Sequence, residues 1–303
     1  MATENQNIGL SDVKKMLVEH GYITDDGVCM SVFLAMHLDK PLLIEGPAGV
    51  GKTEIAKVMA RALQTDLIRL QCYEGLDATH ALYEWNYQRQ ILHLKMVEHT
   101  GQTVDEKEKT IYSEDFLMKR PLMQAITHHC KPVLLIDEVD RSDEEFESFL
   151  LEVLSDWQIS VPEIGTIRAT HIPQVILTGN RARELSEGLR RRCLYLYIDY
   201  PDFDKEWMIV KSKVPEIDNK LGEEICRFMQ TLRTLKLEKS PGIAETLDWA
   251  MALATLHIDY LDKGIIEQTL GVIVKDWRDT REVQISLSEL MVKAGIKSKI
   301  EDL

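Results

Sequence analysis

Apolar residues follow two rhythms along this chain, and the rhythm changes near residue 200. Short unbroken apolar runs at Pro41-Leu42-Leu43-Ile44, Val133-Leu134-Leu135-Ile136, Val175-Ile176-Leu177 and Leu194-Tyr195-Leu196-Tyr197-Ile198 read as strands, the second of them buried. Between them the spacing becomes helical, at Ile55, Val58, Met59 and Leu63, and again at Phe146, Phe149, Leu150, Val153 and Leu154. Two further helices are predicted ahead of the first strand from Val13, Met16 and Leu17 and from Val28, Val32, Phe33 and Met36. Alternating strands and helices imply an α/β architecture with a largely parallel sheet flanked by helices over residues 1–200. From Pro201 only helical spacing remains, as at Ile225, Phe228, Met229 and Leu232 and at Leu247, Ala250, Met251 and Leu253, which predicts a helical domain over 201–303. The polar run between Leu94 and Ser113 is expected to be mobile.

The candidate chemistry sits where strands end. Directly after the first run comes Gly46-Pro47-Ala48-Gly49-Val50-Gly51-Lys52-Thr53, which fits G-x-x-x-x-G-K-[ST]. Glycines let backbone N–H groups curl around phosphate oxygens, Lys52 reaches the β- and γ-phosphates, and the Thr53 hydroxyl is a ligand for Mg2+. The helix that follows turns its positive end toward the anion. A second apolar run ends in Asp137-Glu138, an acid pair at the carboxyl end of a strand, where open parallel sheets place their ligands. Asp137 is expected to bind Mg2+, directly or through water, and Glu138 to orient and polarise the attacking water. Asp140 and Arg141 follow with less distinct roles. A third run, Gln174-Val175-Ile176-Leu177-Thr178-Gly179-Asn180, ends in an amide that can help position the water, although Gly-Asn is also ordinary turn chemistry. Leu189-Arg190-Arg191-Arg192-Cys193 then precedes the fourth run, a basic cluster in an acidic chain.

Phosphate loop, strand-terminal Asp-Glu, strand-terminal Asn and arginine before a strand together resemble an AAA+ ATPase. The finer match is to the MoxR branch. Ile159-Ser160-Val161-Pro162-Glu163-Ile164-Gly165-Thr166-Ile167-Arg168-Ala169 resembles the pre-sensor hairpin insertion of that branch, and its apolar positions around a Pro-Glu-Ile-Gly turn predict a hairpin. Gln71 to Asp77, Leu82 to Tyr87 and Glu245 to Ala250 look like the subgroup associated with carbon monoxide dehydrogenase maturation. The resemblance implies an AAA+ P-loop core with a C-terminal helical lid, bound ATP and Mg2+, and ATP hydrolysis. It also implies a homo-oligomer, commonly a hexameric ring, in which Arg192, or next Arg191, reaches the γ-phosphate of the neighbouring subunit. The implied task is to remodel or activate a metal-cofactor oxidoreductase alongside a von Willebrand factor A domain protein. Two alternatives stand beside it: a nucleotide-dependent assembly factor similar to the MoxR-like protein of gas vesicles, and a nucleic-acid remodeller. One departure is plain, since the family commonly has Ser-Pro-Arg at the start of a lid helix and this chain has Ser240-Pro241-Gly242.

Composition narrows the partners. A net charge of -14 over 303 residues argues against a surface that neutralises nucleic-acid phosphates and suits protein partners better. No apolar run approaches the roughly 18 residues of a spanning helix, and Met-Ala-Thr-Glu-Asn-Gln lacks the layout of a signal peptide, so a cytoplasmic protein without membrane contact is expected. The cysteines, Cys29, Cys72, Cys130, Cys193 and Cys226, show no C-x-x-C spacing, which suggests neither a disulfide frame nor a zinc site. His128-His129-Cys130 can be read as a metal cluster, but no further ligands lie near it in sequence. Tyr83, Trp85 and Tyr87 invite either a substrate-gripping reading or core packing around the second strand.

Overall fold

A computed structural model describes residues 8–98 and 103–296. The chain divides into two compact units, one holding residues 24–45 and 53–197 with the N-terminal helix, the other holding 21–23, 46–52 and everything from Ile198 on.

Among the described residues the first unit has nine strands: β1 (Leu42–Glu45), β2 (Leu67–Gln71), β3 (Tyr83–Trp85), β4 (Leu117–Lys119), β5 (Val133–Asp137), β6 (Gln158–Val161), β7 (Gly165–Arg168), β8 (Gln174–Gly179) and β9 (Leu194–Tyr197). Five of them form a parallel sheet in the order β2-β5-β8-β1-β9. The central strands β1, β5 and β8 are buried at every position, which is why their sequences run apolar without alternation. In register, Gln71 stands beside Asp137, and Glu45 beside Gly179 and Tyr197, so one polar rim collects the carboxyl ends. Helices Leu10–Glu19 and Asp26–Leu38 precede β1, as the spacing predicts. Helix Glu144–Asp156 is capped by Asp143, and puts Phe146, Leu150, Val153 and Leu154 into the same core as Leu134, Ile136 and Leu177.

The predicted hairpin is β6 and β7, paired antiparallel through Ile159 and Ile167. The aromatic trio divides: Tyr83 and Trp85 lie on β3, which pairs with β4, and Trp85 packs in the core against a Tyr112 ring 5.3 Å away, while Tyr87 is 61% exposed. A cavity of about 170 Å3 lies among His80, Tyr83, Glu84, Trp85 and Tyr87. The expected mobile run is corrected in part: Val104–Ile111 is a helix, nucleated by a capping box in which Thr103 and Glu106 satisfy each other's backbone N–H. Residues 99–102, the centre of that run, lie outside the described residues, as does the N-terminal Met-Ala-Thr-Glu-Asn-Gln segment.

Among the described residues the second unit contains five helices, Phe203–Lys213, Asn219–Leu232, Ile243–Thr255, Lys263–Ile273 and Trp277–Lys293. Asn219–Leu232 is strongly amphipathic and buries Ile225, Phe228, Met229 and Leu232 against Trp249, Leu253 and Leu270. Trp249 is fully buried, and its indole N–H donates to Thr269 Oγ1 at 2.8 Å. No helix among the described residues is long and apolar enough to cross a membrane.

Candidate nucleotide site

Asp137 ends β5 with a carboxylate only 4% exposed. Its Oδ1 accepts from Thr53 Oγ1 at 3.0 Å and from Thr178 Oγ1 at 2.5 Å, and its Oδ2 accepts from Arg69 Nε at 3.1 Å and Nη2 at 2.5 Å. Hydroxyl and carboxylate oxygens side by side are the hard donors that Mg2+ takes, so Thr53 and Asp137 fit that ion.

Glu138 follows with left-handed backbone angles, φ 55° and ψ 48°, which a side chain of this size adopts only when its surroundings fix it. They do: its N–H donates to Thr178 Oγ1 at 3.0 Å. Its carboxylate accepts from Gln71 Nε2 at 3.1 Å, pairs with Arg141 Nε at 3.0 Å and meets Asn180 Nδ2 at 3.4 Å. Asn180 is held in turn by Asp140, whose Oδ2 accepts from the Asn180 and Ala182 N–H groups at 2.9 and 2.7 Å. Burial, followed by the charges of Asp137, Asp140 and Glu138, pushes the neighbouring Cys72 thiol up to about 12, so it remains a neutral thiol.

The loop residues Gly46–Lys52 belong to the second unit. Lys52 is buried and donates to the carbonyl oxygens of Gly46 at 2.8 Å and Pro47 at 2.6 Å. Gly51 has φ +92° with open space where a Cβ would stand, a conformation and a vacancy that suit an anion cradle. Gly49 O accepts from Ala244 N at 3.2 Å. A Cβ on Gly242 would stand 2.7 Å from Ala48 O and 2.9 Å from Gly49 Cα, so this position has no room for any side chain. The nearby Arg233 does not stand in for an arginine there, because its guanidinium is committed to Glu206.

Arg191 and Arg192 end helix Glu187–Arg192, where cations favour the helix dipole. Arg191 pairs with Glu187 at 2.5 Å and is exposed, while Arg192 donates to Ser155 Oγ at 2.5 Å. Both precede β9 and so lie at the amino ends of the strands, about 13 Å from the carboxyl rim at roughly 3.3 Å per residue. Within one copy they are not brought to Asp137 and Glu138.

Arg69, Gln71 and Thr178 join the site through strand pairing with β5, which sequence patterning alone does not reveal.

Residues 41–193 match the AAA domain family, dynein-related subfamily. An uncharacterised protein of Staphylococcus haemolyticus is 26% identical over 277 residues, which cover 88% of this chain and 96% of the relative. Uncharacterised proteins of Staphylococcus aureus are 27% identical, covering 89% and 96%. Among solved structures, a mutant of Thermotoga maritima RuvB superposes with a TM-score of 0.50 at 19% identity, over 97% of this chain and 85% of RuvB, a likeness of fold. The parallel sheet, the loop Gly46–Thr53 and the matched span agree, and this chain belongs to the AAA domain family, dynein-related subfamily.

Proposed function

We propose that this chain is an ATPase that hydrolyses ATP to ADP and phosphate with Mg2+, and that it uses the turnover to remodel or activate a metal-cofactor enzyme. The observation that supports it best is the convergence of Thr53 and Asp137 on one side and Gln71, Arg141 and Asn180 around Glu138 on the other. Bound Mg2+ supplies charge neutralisation at the phosphate oxygens. Lys52 exchanges the Gly46 and Pro47 carbonyls for phosphate oxygens, which accept more strongly because they are charged. Glu138 accepts a hydrogen bond from the attacking water, and Asn180 and Gln71 fix the carboxylate that does so. Thr178 links both acids, since one hydroxyl donates to Asp137 and accepts from the Glu138 backbone.

Arg192 stands too far from the rim to stabilise the γ-phosphate of its own copy, which favours a head-to-tail ring in which each copy completes its neighbour's site. The client reading rests on the MoxR-type segments of the sequence, with an oxidoreductase as client and a von Willebrand factor A domain protein as partner. The net charge of -14 supports protein rather than nucleic-acid partners. The test mixes Lys52→Ala with Arg192→Ala protein. Each lacks a different half of a shared site, so part of the turnover returns on mixing and rises further with the von Willebrand partner. A mixture as inactive as its components contradicts the shared site.

A further inference from the structure

The end of the sheet opposite the acids carries a second cluster, which the nucleotide chemistry does not use. Helix Pro121–Ile126 stops, the chain bends at His129 and Cys130, and β5 begins at Val133. The bend turns three consecutive donors to one side, with the ring nitrogens of His128 and His129 and the Cys130 sulfur all within 4.8 Å of one another. We propose that His128, His129 and Cys130 bind a divalent transition metal of the zinc type, with a fourth position open.

Geometry supports this in two independent ways. His128 Nδ1 and Cys130 Sγ are 3.4 Å apart. Bonds of about 2.0–2.1 Å to nitrogen and 2.3 Å to sulfur at a tetrahedral centre set donors roughly 3.3–3.6 Å apart, so this pair already has the required bite. Closing a pair at that limit takes about 1.2–1.5 Å, within reach of the exposed His129 side chain. The second observation is Asp66. Its Oδ2 lies 3.1 Å from His128 Nε2, the carboxylate–imidazole contact that fixes the tautomer of metal-bound histidines and leaves Nδ1 as the ligand. With the proton on Nε2, the Nδ1 lone pair meets only long donor contacts, the Cys130 N–H and Sγ each at 3.4 Å, beside the Cys130 carbonyl oxygen at 3.1 Å.

Thr65 Oγ1 is 3.4 Å from Cys130 Sγ and donates its proton to the Lys131 carbonyl oxygen at 2.9 Å, which leaves the sulfur lone pairs to a metal. Lys131, the nearest cation in sequence, is neutralised by Asp39. Thiolate and imidazole together select zinc, cobalt, nickel or copper over Mg2+, so the site does not compete for the ion held at Thr53 and Asp137. Asp66 lies 62 residues from His128 in sequence and reaches it only in the fold.

The experiment uses the full chain without a histidine tag, stripped with chelator and titrated with Co2+. The account expects one equivalent to bind, with a thiolate-to-cobalt charge-transfer band that Zn2+ abolishes. Cys130→Ser removes that band while far-ultraviolet dichroism is unchanged, and Asp66→Asn keeps the band but weakens binding about tenfold or more. Lys52→Ala changes neither. No band with folded wild-type protein, or a band that survives Cys130→Ser, overturns the proposal; the latter places the thiolate at another cysteine.

Discussion

Each compact unit buries more than one acid, and two of them, Glu206 in the helical unit and Asp137 in the other, are treated in opposite ways. In the helical unit Glu206 is 0% exposed and accepts from both Nη atoms of Arg233 at 2.7 Å, from Gln230 and Thr246 at 2.6 Å. Arg233 is itself buried, with a 7% exposed side chain, and its remaining Nε–H goes to Pro241 O at 2.8 Å. Nothing in that network is replaceable. Asp137 is almost as deeply buried, yet its arginine partner, Arg69, is 51% exposed, and its other partners are two hydroxyls. A carboxylate whose cation can swing into water is ready to trade it for a metal ion, whereas one sealed against a buried guanidinium is a structural tie. Burial of an acid alone therefore does not mark a site; the exchangeability of its partner does.

The contrast is broken most severely at Glu206. Arg233→Met leaves that carboxylate buried without its cation, so thermal unfolding is expected to lose about 3–5 kcal/mol, read as a drop in Tm. A loss below about 1 kcal/mol contradicts a locked tie. Next comes Glu138→Gln, which leaves nucleotide binding intact and slows hydrolysis at least about a hundredfold, roughly 2.7 kcal/mol in the barrier. Turnover near wild type removes Glu138 from the chemistry. Thr178→Val deprives Asp137 of a donor and the Glu138 N–H of an acceptor, with an expected cost of about 1–3 kcal/mol in stability together with reduced turnover. The smallest effect belongs to Arg69→Ala. Its half-exposed pair contributes under about 1 kcal/mol, and removing it lowers the Mg2+ concentration at half-maximal turnover. A raised Mg2+ requirement instead makes Arg69 part of the metal site.

Much of this was legible from the chain. Unbroken apolar runs named β1, β5 and β8 because strands buried on both faces need no alternation, whereas β9 is an edge strand that exposes Tyr195 and Tyr197, and Pro162 to Gly165 marked the turn of the hairpin. The Thr103-Val104-Asp105-Glu106 capping box was equally readable, but the polarity of the run hid it, since helix Val104–Ile111 buries nothing. Gln71 and Arg69 were not legible as site residues, because β2 lies far from β5 in sequence and only strand register brings them to the acids. The bare Gly242 was read as a missing arginine; the backbone of Ala48 and Gly49 at that point explains why no side chain stands there.

The claim underneath is that Gly46–Thr53 holds a nucleotide for Glu138 to act on. Its most direct test is equilibrium binding of labelled ATP with Mg2+ to wild-type and Lys52→Ala protein, each confirmed as folded. The account predicts saturable binding to the wild type and none to Lys52→Ala over the same range; equal binding to both, or to neither, contradicts it.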